Sequence, residues 1–103
     1  VEIMMEEVKV RGLTLKNIKV NEASGYNGMD ILFTIQDQQY NFMIAKTNPI
    51  MPLNILHRFS EKSICHVCNR TIYPYPVGNQ PCLELKKLDK LILDKLIKFL
   101  PVK

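Results

Sequence analysis

Along Ile31–Ala45, ILFTIQDQQYNFMIA, apolar and polar positions alternate twice, with a polar break between the two runs. Ile31, Phe33 and Ile35 alternate with Leu32 and Thr34. Tyr40, Phe42 and Ile44 alternate with Asn41 and Met43. Successive side chains of a strand point to opposite faces, so each triplet marks one face. The break, Gln36-Asp37-Gln38-Gln39, contains Asp, a common turn residue. The stretch therefore predicts a β-hairpin. A turn centred on Asp37-Gln38 sets Ile35 opposite Tyr40, Phe33 opposite Phe42 and Ile31 opposite Ile44. All six then share one face, while Leu32, Met43 and Ala45 leave the other only partly apolar.

The flanking segments repeat the alternation less cleanly. Ile3, Met4 and Met5 fit either a first strand or a frayed helix end. Val8 and Val10 alternate with Lys9 and Arg11 and predict a strand, followed by a tight turn or bulge at Arg11-Gly12. Leu13 and Leu15 continue the pattern. The phase then slips at Lys16-Asn17, because Ile18 and Val20 fall on the other parity, and a bulge or second turn would repair the register. Residues 21–30 read as a loop with a turn signal at Asn27-Gly28 and an exposed aromatic, Tyr26, at its tip. Gly25 and Gly28 lack the third glycine and the following helix of a dinucleotide cradle.

Pro49 and Pro52 close the hairpin's second strand. Leu53, Leu56 and Phe59, with Ile55 beside them, predict a short amphipathic helix over 52–62, with Pro52 as its first residue. Pro74 and Pro76 confine the next segment to a sheet edge or a crossing. The clearest helix spans 84–100 and ends at Pro101. Leu85, Leu88, Ile92, Leu96 and Phe99 form one stripe, Leu93, Ile97 and Leu100 a second beside it, and Lys87, Lys90, Asp94 and Lys98 hold the opposite side. The expected fold is α+β: an antiparallel sheet of about four strands, with a short helix and a C-terminal helix packed on one face. Tyr75-Pro76 through Pro81, followed by Leu83-Glu84-Leu85 and a helix, resembles the Tyr-Pro turn of the RWD and E2-like fold. The gap to the second proline is one residue longer than that family's pattern, and no active-site cysteine pattern carries over.

A chain of 103 residues fits one domain, and 47% hydrophobic with 23% charged residues is ordinary for a globule. The first residue is Val rather than Met, which is compatible with a processed chain or a piece of a longer protein. No apolar run approaches the roughly 20 residues that span a bilayer, so no membrane partner is expected. The net charge of +4 owes much to lysines near the C-terminus. They fit a solvated helix face, or a footprint for nucleic acid or an acidic partner.

Three cysteines, an odd number, argue against a closed disulfide framework and for a reducing compartment, cytoplasmic or nuclear. Cys65-His66-Val67-Cys68 is the one motif with chemical content. Two thiolates separated by two residues can chelate one metal, and zinc takes four tetrahedral S or N ligands. Cys82 would be the third ligand, and His57 or His66 the fourth. The resulting His-x7-Cys-x2-Cys-x13-Cys is not a standard finger spacing. Continued as a strand, the segment would put Cys65 and Cys68 on opposite faces, and no glycine follows Cys68 to ease a knuckle. The more ordinary expectation for such cysteines is as small buried hydrophobes.

No motif names a reaction class, so the chain reads first as a non-enzymatic protein–protein interaction module. The contact would be the second helix stripe, Leu93, Ile97 and Leu100, flanked by Lys90 and Lys98, binding a protein partner or a second copy. A zinc-stabilised nucleic-acid-binding domain using the basic helix face is the alternative. A thiol–disulfide oxidoreductase comes third, since no helix starts at Cys65 to lower its pKa.

Overall fold

The alternating central stretch folds as the hairpin of β4 (Gly28–Ile35) and β5 (Gln38–Ala45). A computed structural model of the chain describes residues 2–4, 7–23, 25–47, 49–75, 77 and 80–97. The turn is Gln36-Asp37, one position earlier than expected. Both residues have positive φ, 48° and 67°, the backbone of the tight two-residue turn whose twist matches paired strands. Phe33 therefore faces Tyr40, Ile31 faces Phe42 and Met29 faces Ile44. Relative to the expected register every pair moves by two residues. A shift of two preserves parity, so all six predicted core residues still share one face, and all six are buried.

The remaining strands extend this hairpin into an antiparallel sheet of order β1-β3-β4-β5-β6. Strand β3 (Leu13–Glu22) pairs with β4 on one side. On its other side lie β1 (Glu2–Met4) near its end and β2 (Val8–Val10) near its start. The turn between β2 and β3 uses Arg11 and Gly12, both at positive φ. The phase slip is a bulge: the β3–β4 register shifts between Lys16 and Lys19, with Asn17 at φ 53°. It lets Leu15 and Ile18 both face the core.

Residues 52–62 do not form a helix. Met51–His57 is β6, an edge strand paired with β5, with Phe42 opposite Ile55 and Tyr40 opposite His57. The alternation Ile55, His57, Phe59, all buried, prevails over the three-residue spacing of Leu53, Leu56 and Phe59. Pro52 is tolerated because an edge strand can spare a backbone donor, and the β5–β6 register shifts beside it.

After β6 comes a separate ribbon, β7 (Ser63–Ile64) paired with β8 (Thr71–Ile72). The expected C-terminal helix is divided into α1 (Leu83–Lys86) and α2 (Asp89–Leu96). At the break the Leu88 amide donates to Leu85 O, three residues back, which tightens the chain there. Helix α2 touches both β2 and β6, the two edges of the sheet, so the sheet curls around it. Ile92, Leu93 and Leu96 are buried there with Leu85, and Leu88 and Leu91 pack partly buried against them. No helix among the described residues is long and apolar enough to cross a membrane.

Candidate metal centre

Three separate segments bring a donor to one point beside the edge of the sheet. His57 ends β6, Cys65 and Cys68 follow β7, and Cys82 precedes α1. Their ligand atoms all lie within 4.8 Å of one another. Cys65 Sγ is 3.9 Å from Cys82 Sγ, and Cys68 Sγ is 3.5 Å from His57 Nε2. A tetrahedral zinc ion with Zn–S near 2.3 Å and Zn–N near 2.0 Å separates its ligands by about 3.5–3.8 Å. The four side chains are thus placed to hold one ion without large rearrangement. His57, Cys65 and Cys82 are buried and Cys68 is half-buried.

The local backbone explains how Cys65 and Cys68 converge. The segment does not continue as a strand after Ile64 but turns. The Cys65 amide donates to Arg70 O at 2.9 Å, and the Asn69 amide donates back to Cys65 O at 2.8 Å. Asn69 takes φ 61°, the left-handed conformation that a glycine would otherwise supply. The amides of Val67 and Cys68 point at Cys65 Sγ at 3.4 and 3.5 Å. Such donors favour a thiolate at that sulfur.

His57 is oriented for ligation through Nε2. Its Nδ1–H donates to Gln80 O at 2.7 Å, which leaves the Nε2 lone pair facing the thiols. The His57 amide donates to the same carbonyl at 2.9 Å, and the Cys82 amide donates to Ile55 O at 2.8 Å. The backbone of Gln80 and Cys82 therefore lies along β6, and an isolated bridge joins Leu56 to Pro81. His66, the other histidine considered for the fourth ligand, is exposed and stands outside the cluster.

Two further residues, Gln38 and Tyr40, were not apparent as site residues in the sequence. The Tyr40 hydroxyl lies 3.1 Å from Cys65 Sγ. Gln38 Nε2 donates to Ile64 O at 2.8 Å, and Gln38 Oε1 accepts from the His66 amide at 2.8 Å. Both sit in β5 within the hydrophobic alternation, where they read as turn and core. The thiols share protons unequally. Hydrogen bonding from Cys82, with further donors in Tyr40 and the Cys68 amide, holds the Cys65 thiol well below the usual range against the opposing effect of burial. The bond to Cys65, together with burial, pushes Cys82 up, and burial pushes Cys68 up. One sulfur is thus poised as a thiolate, and an ion binding the cluster would displace the protons of the others.

The proposed partner stripe is not assembled as expected. Leu93 is only 7% exposed because the curled sheet reaches it, whereas Ile97 is 47% exposed. Lys90 is exposed, and Lys98, Phe99 and Leu100 lie outside the described residues. Pro76 of the Tyr-Pro turn also lies outside them. No protein-family model, curated protein or solved structure matches the chain.

Proposed function

We propose that this chain is a small non-enzymatic interaction module stabilised by one structural zinc ion held by His57, Cys65, Cys68 and Cys82. The observation that carries the reading is the mutual approach of all four donor atoms, within 4.8 Å, from three segments separated in sequence. Three thiolates and an imidazole form a soft donor set suited to zinc. Four protein ligands fill a tetrahedron and leave no open position for water or substrate, which favours a structural over a catalytic role. The ion would tie the β7–β8 ribbon and the start of α1 to the edge strand β6. A partner contact on the C-terminal helix would use Ile97 and Lys90 rather than Leu93.

The test is metal analysis followed by melting. Purified chain is expected to hold one zinc per molecule. Cobalt exchanged into the site should give the intense visible absorption of a tetrahedral thiolate complex. Chelation should lower the melting temperature by more than about 10 °C, since structural zinc binding is worth on the order of 10 kcal/mol. Cys82→Ser should abolish stoichiometric binding. A metal content well below one per chain, or melting that a chelator leaves unchanged, would overturn the proposal.

A further inference from the structure

The β7–β8 ribbon presents a second surface that the metal centre does not use. Ser63 pairs with Ile72 and Ile64 with Thr71. Ile72 points inward and is buried, so the alternation sends Ile64 and Thr71 outward, and both are exposed. Continuing the same parity places Lys62 and Tyr73 on the outward face. Lys62 Nζ lies 5.3 Å from the centre of the Tyr73 ring. The Tyr75 amide donates to Phe59 O at 2.9 Å and holds the chain alongside residues 58–59. There the Arg58 guanidinium lies 4.3 Å over the Tyr75 ring. The result is a strip with two cation–aromatic pairs. Ile64 is 57% exposed, Tyr73 49% and Tyr75 44%.

The charges on this strip are available. Among the described residues, Arg58 and Lys62 make no ion pair with a carboxylate. The ion pairs present involve Lys16, Lys46 and Lys87. Asp37 and Glu61 border the hollow beside Arg58 and limit the strip at that end. By contrast, the lysines of α1 and α2 alternate with Glu84, Asp89 and Asp94, and Lys87 is paired with Glu84. Half-exposed aromatic rings beside unneutralised cations form the combination that binds bases by stacking and phosphates by charge.

We propose that the outward face of this ribbon and the chain beside it, Arg58, Lys62, Tyr73 and Tyr75, docks single-stranded nucleic acid. The ribbon carries Cys65 and Cys68, so its shape rests on the metal-centre reading. Recognition would be tolerant of sequence, with the bases of one or two nucleotides stacked on the tyrosines and neighbouring phosphates beside the cations. An acidic protein segment would be attracted by the same charges but would gain nothing from the half-exposed rings.

The experiment is fluorescence anisotropy of labelled 12-nucleotide oligouridine and oligothymidine with zinc-loaded chain. Inorganic polyphosphate and polyglutamate serve as polyanions without bases. Both oligonucleotides should bind, with a log–log salt slope of about −1.4 for two phosphate contacts. Tyr73→Ala and Tyr75→Ala should each weaken binding about tenfold. Tyr73→Phe should keep it, because the ring is what stacks. Lys90→Gln with Lys95→Gln on the helix should leave it unchanged. Zinc content and melting temperature of each variant show that the fold survives.

Absence of oligonucleotide binding, equal affinity for the base-free polyanions, or indifference to the tyrosines would overturn the proposal. Loss of binding in the helix variant alone would overturn it too. The metal reading fails separately: if the chain holds no zinc yet binds oligonucleotide through Tyr73 and Tyr75, the docking strip stands without it. A chain that holds zinc and ignores oligonucleotide removes the strip alone.

Discussion

Tyr26 does more than its place in a loop suggests. Its hydroxyl lies 2.8 Å from Asp30 Oδ1 and 3.1 Å from Met29 O. Its ring lies over Gly28, where an added Cβ would come impossibly close to both that ring and Ile44 O. Asn27-Gly28 is thus a turn signal whose glycine is required by contact rather than by φ. Burial, then the hydrogen bond to Asp30 and its charge, raises the Tyr26 phenol above its ordinary value. An unfolded tyrosine ionises near pH 10. A group with a raised folded pKa stabilises fully below the unfolded value, and that contribution is lost as pH rises past it. Tyr26→Phe should therefore flatten the alkaline limb. Between pH 8 and pH 11 in urea melts, the variant should lose less stability than the parent chain. Parallel losses would show that this phenol does not set the limb. At this scale the cluster was legible, because cysteines are few and their chemistry narrow. What brings His57 rather than His66 to the cysteines was not, since it depends on the pairing of β6. Gln38 and Tyr40 escaped notice because a glutamine beside a turn and a core tyrosine carry no motif.

Strand identity was read correctly where the alternation was long, and wrongly where it competed with another period. The hairpin's inner face is as expected although its register is not. The turn conformation falls on Gln36-Asp37, neither of which is the Asn-Gly or Gly-Gly that announces such turns. Phe33 stacks on Tyr40 with ring centres 5.7 Å apart, and Phe42 lies between Ile31 and Ile55 on the neighbouring strands. Phe42→Ala should cost about 3–5 kcal/mol in denaturant melts of the zinc-loaded chain. A loss below about 1 kcal/mol would mean that this ring is not part of the core. In β6 the apolar residues satisfy both a helical and a strand spacing, and only the hydrogen bonds of β5 decide between them. Local sequence cannot contain that information.

The two apolar stripes of the C-terminal helix make sense only with the whole sheet in place. On a flat sheet one stripe would suffice and the other would stay open. The curl brings β2 and β6 to opposite sides of α2, so Leu93 is covered as well as Ile92 and Leu96. Leu93→Glu should abolish cooperative melting, because it puts an unpaired charge into the core. Ile97→Glu, at a half-exposed position, should change stability by no more than about 0.5 kcal/mol. Circular dichroism of the two variants separates these outcomes. Equal tolerance of both would return Leu93 to the surface. Curvature was not readable from the chain, because it arises from strand twist and the β3 bulge acting over the entire sheet.

The unequal spacing of the four candidate ligands matters most when the chain is unfolded. Cys65 and Cys68 are near enough in sequence to share an ion with no tertiary structure, whereas His57 and Cys82 reach it only after β6 and the segment Gln80–Cys82 have paired. An ion held by two thiolates in the denatured chain lowers the free energy of that state as well. The stabilisation that zinc would add on folding is then the difference between a two-point and a four-point grip, smaller than the full affinity of the finished site. In exchange, the ion would travel with the chain as it collapses, and the first turn of the knuckle would be in place before either of its distant partners arrives.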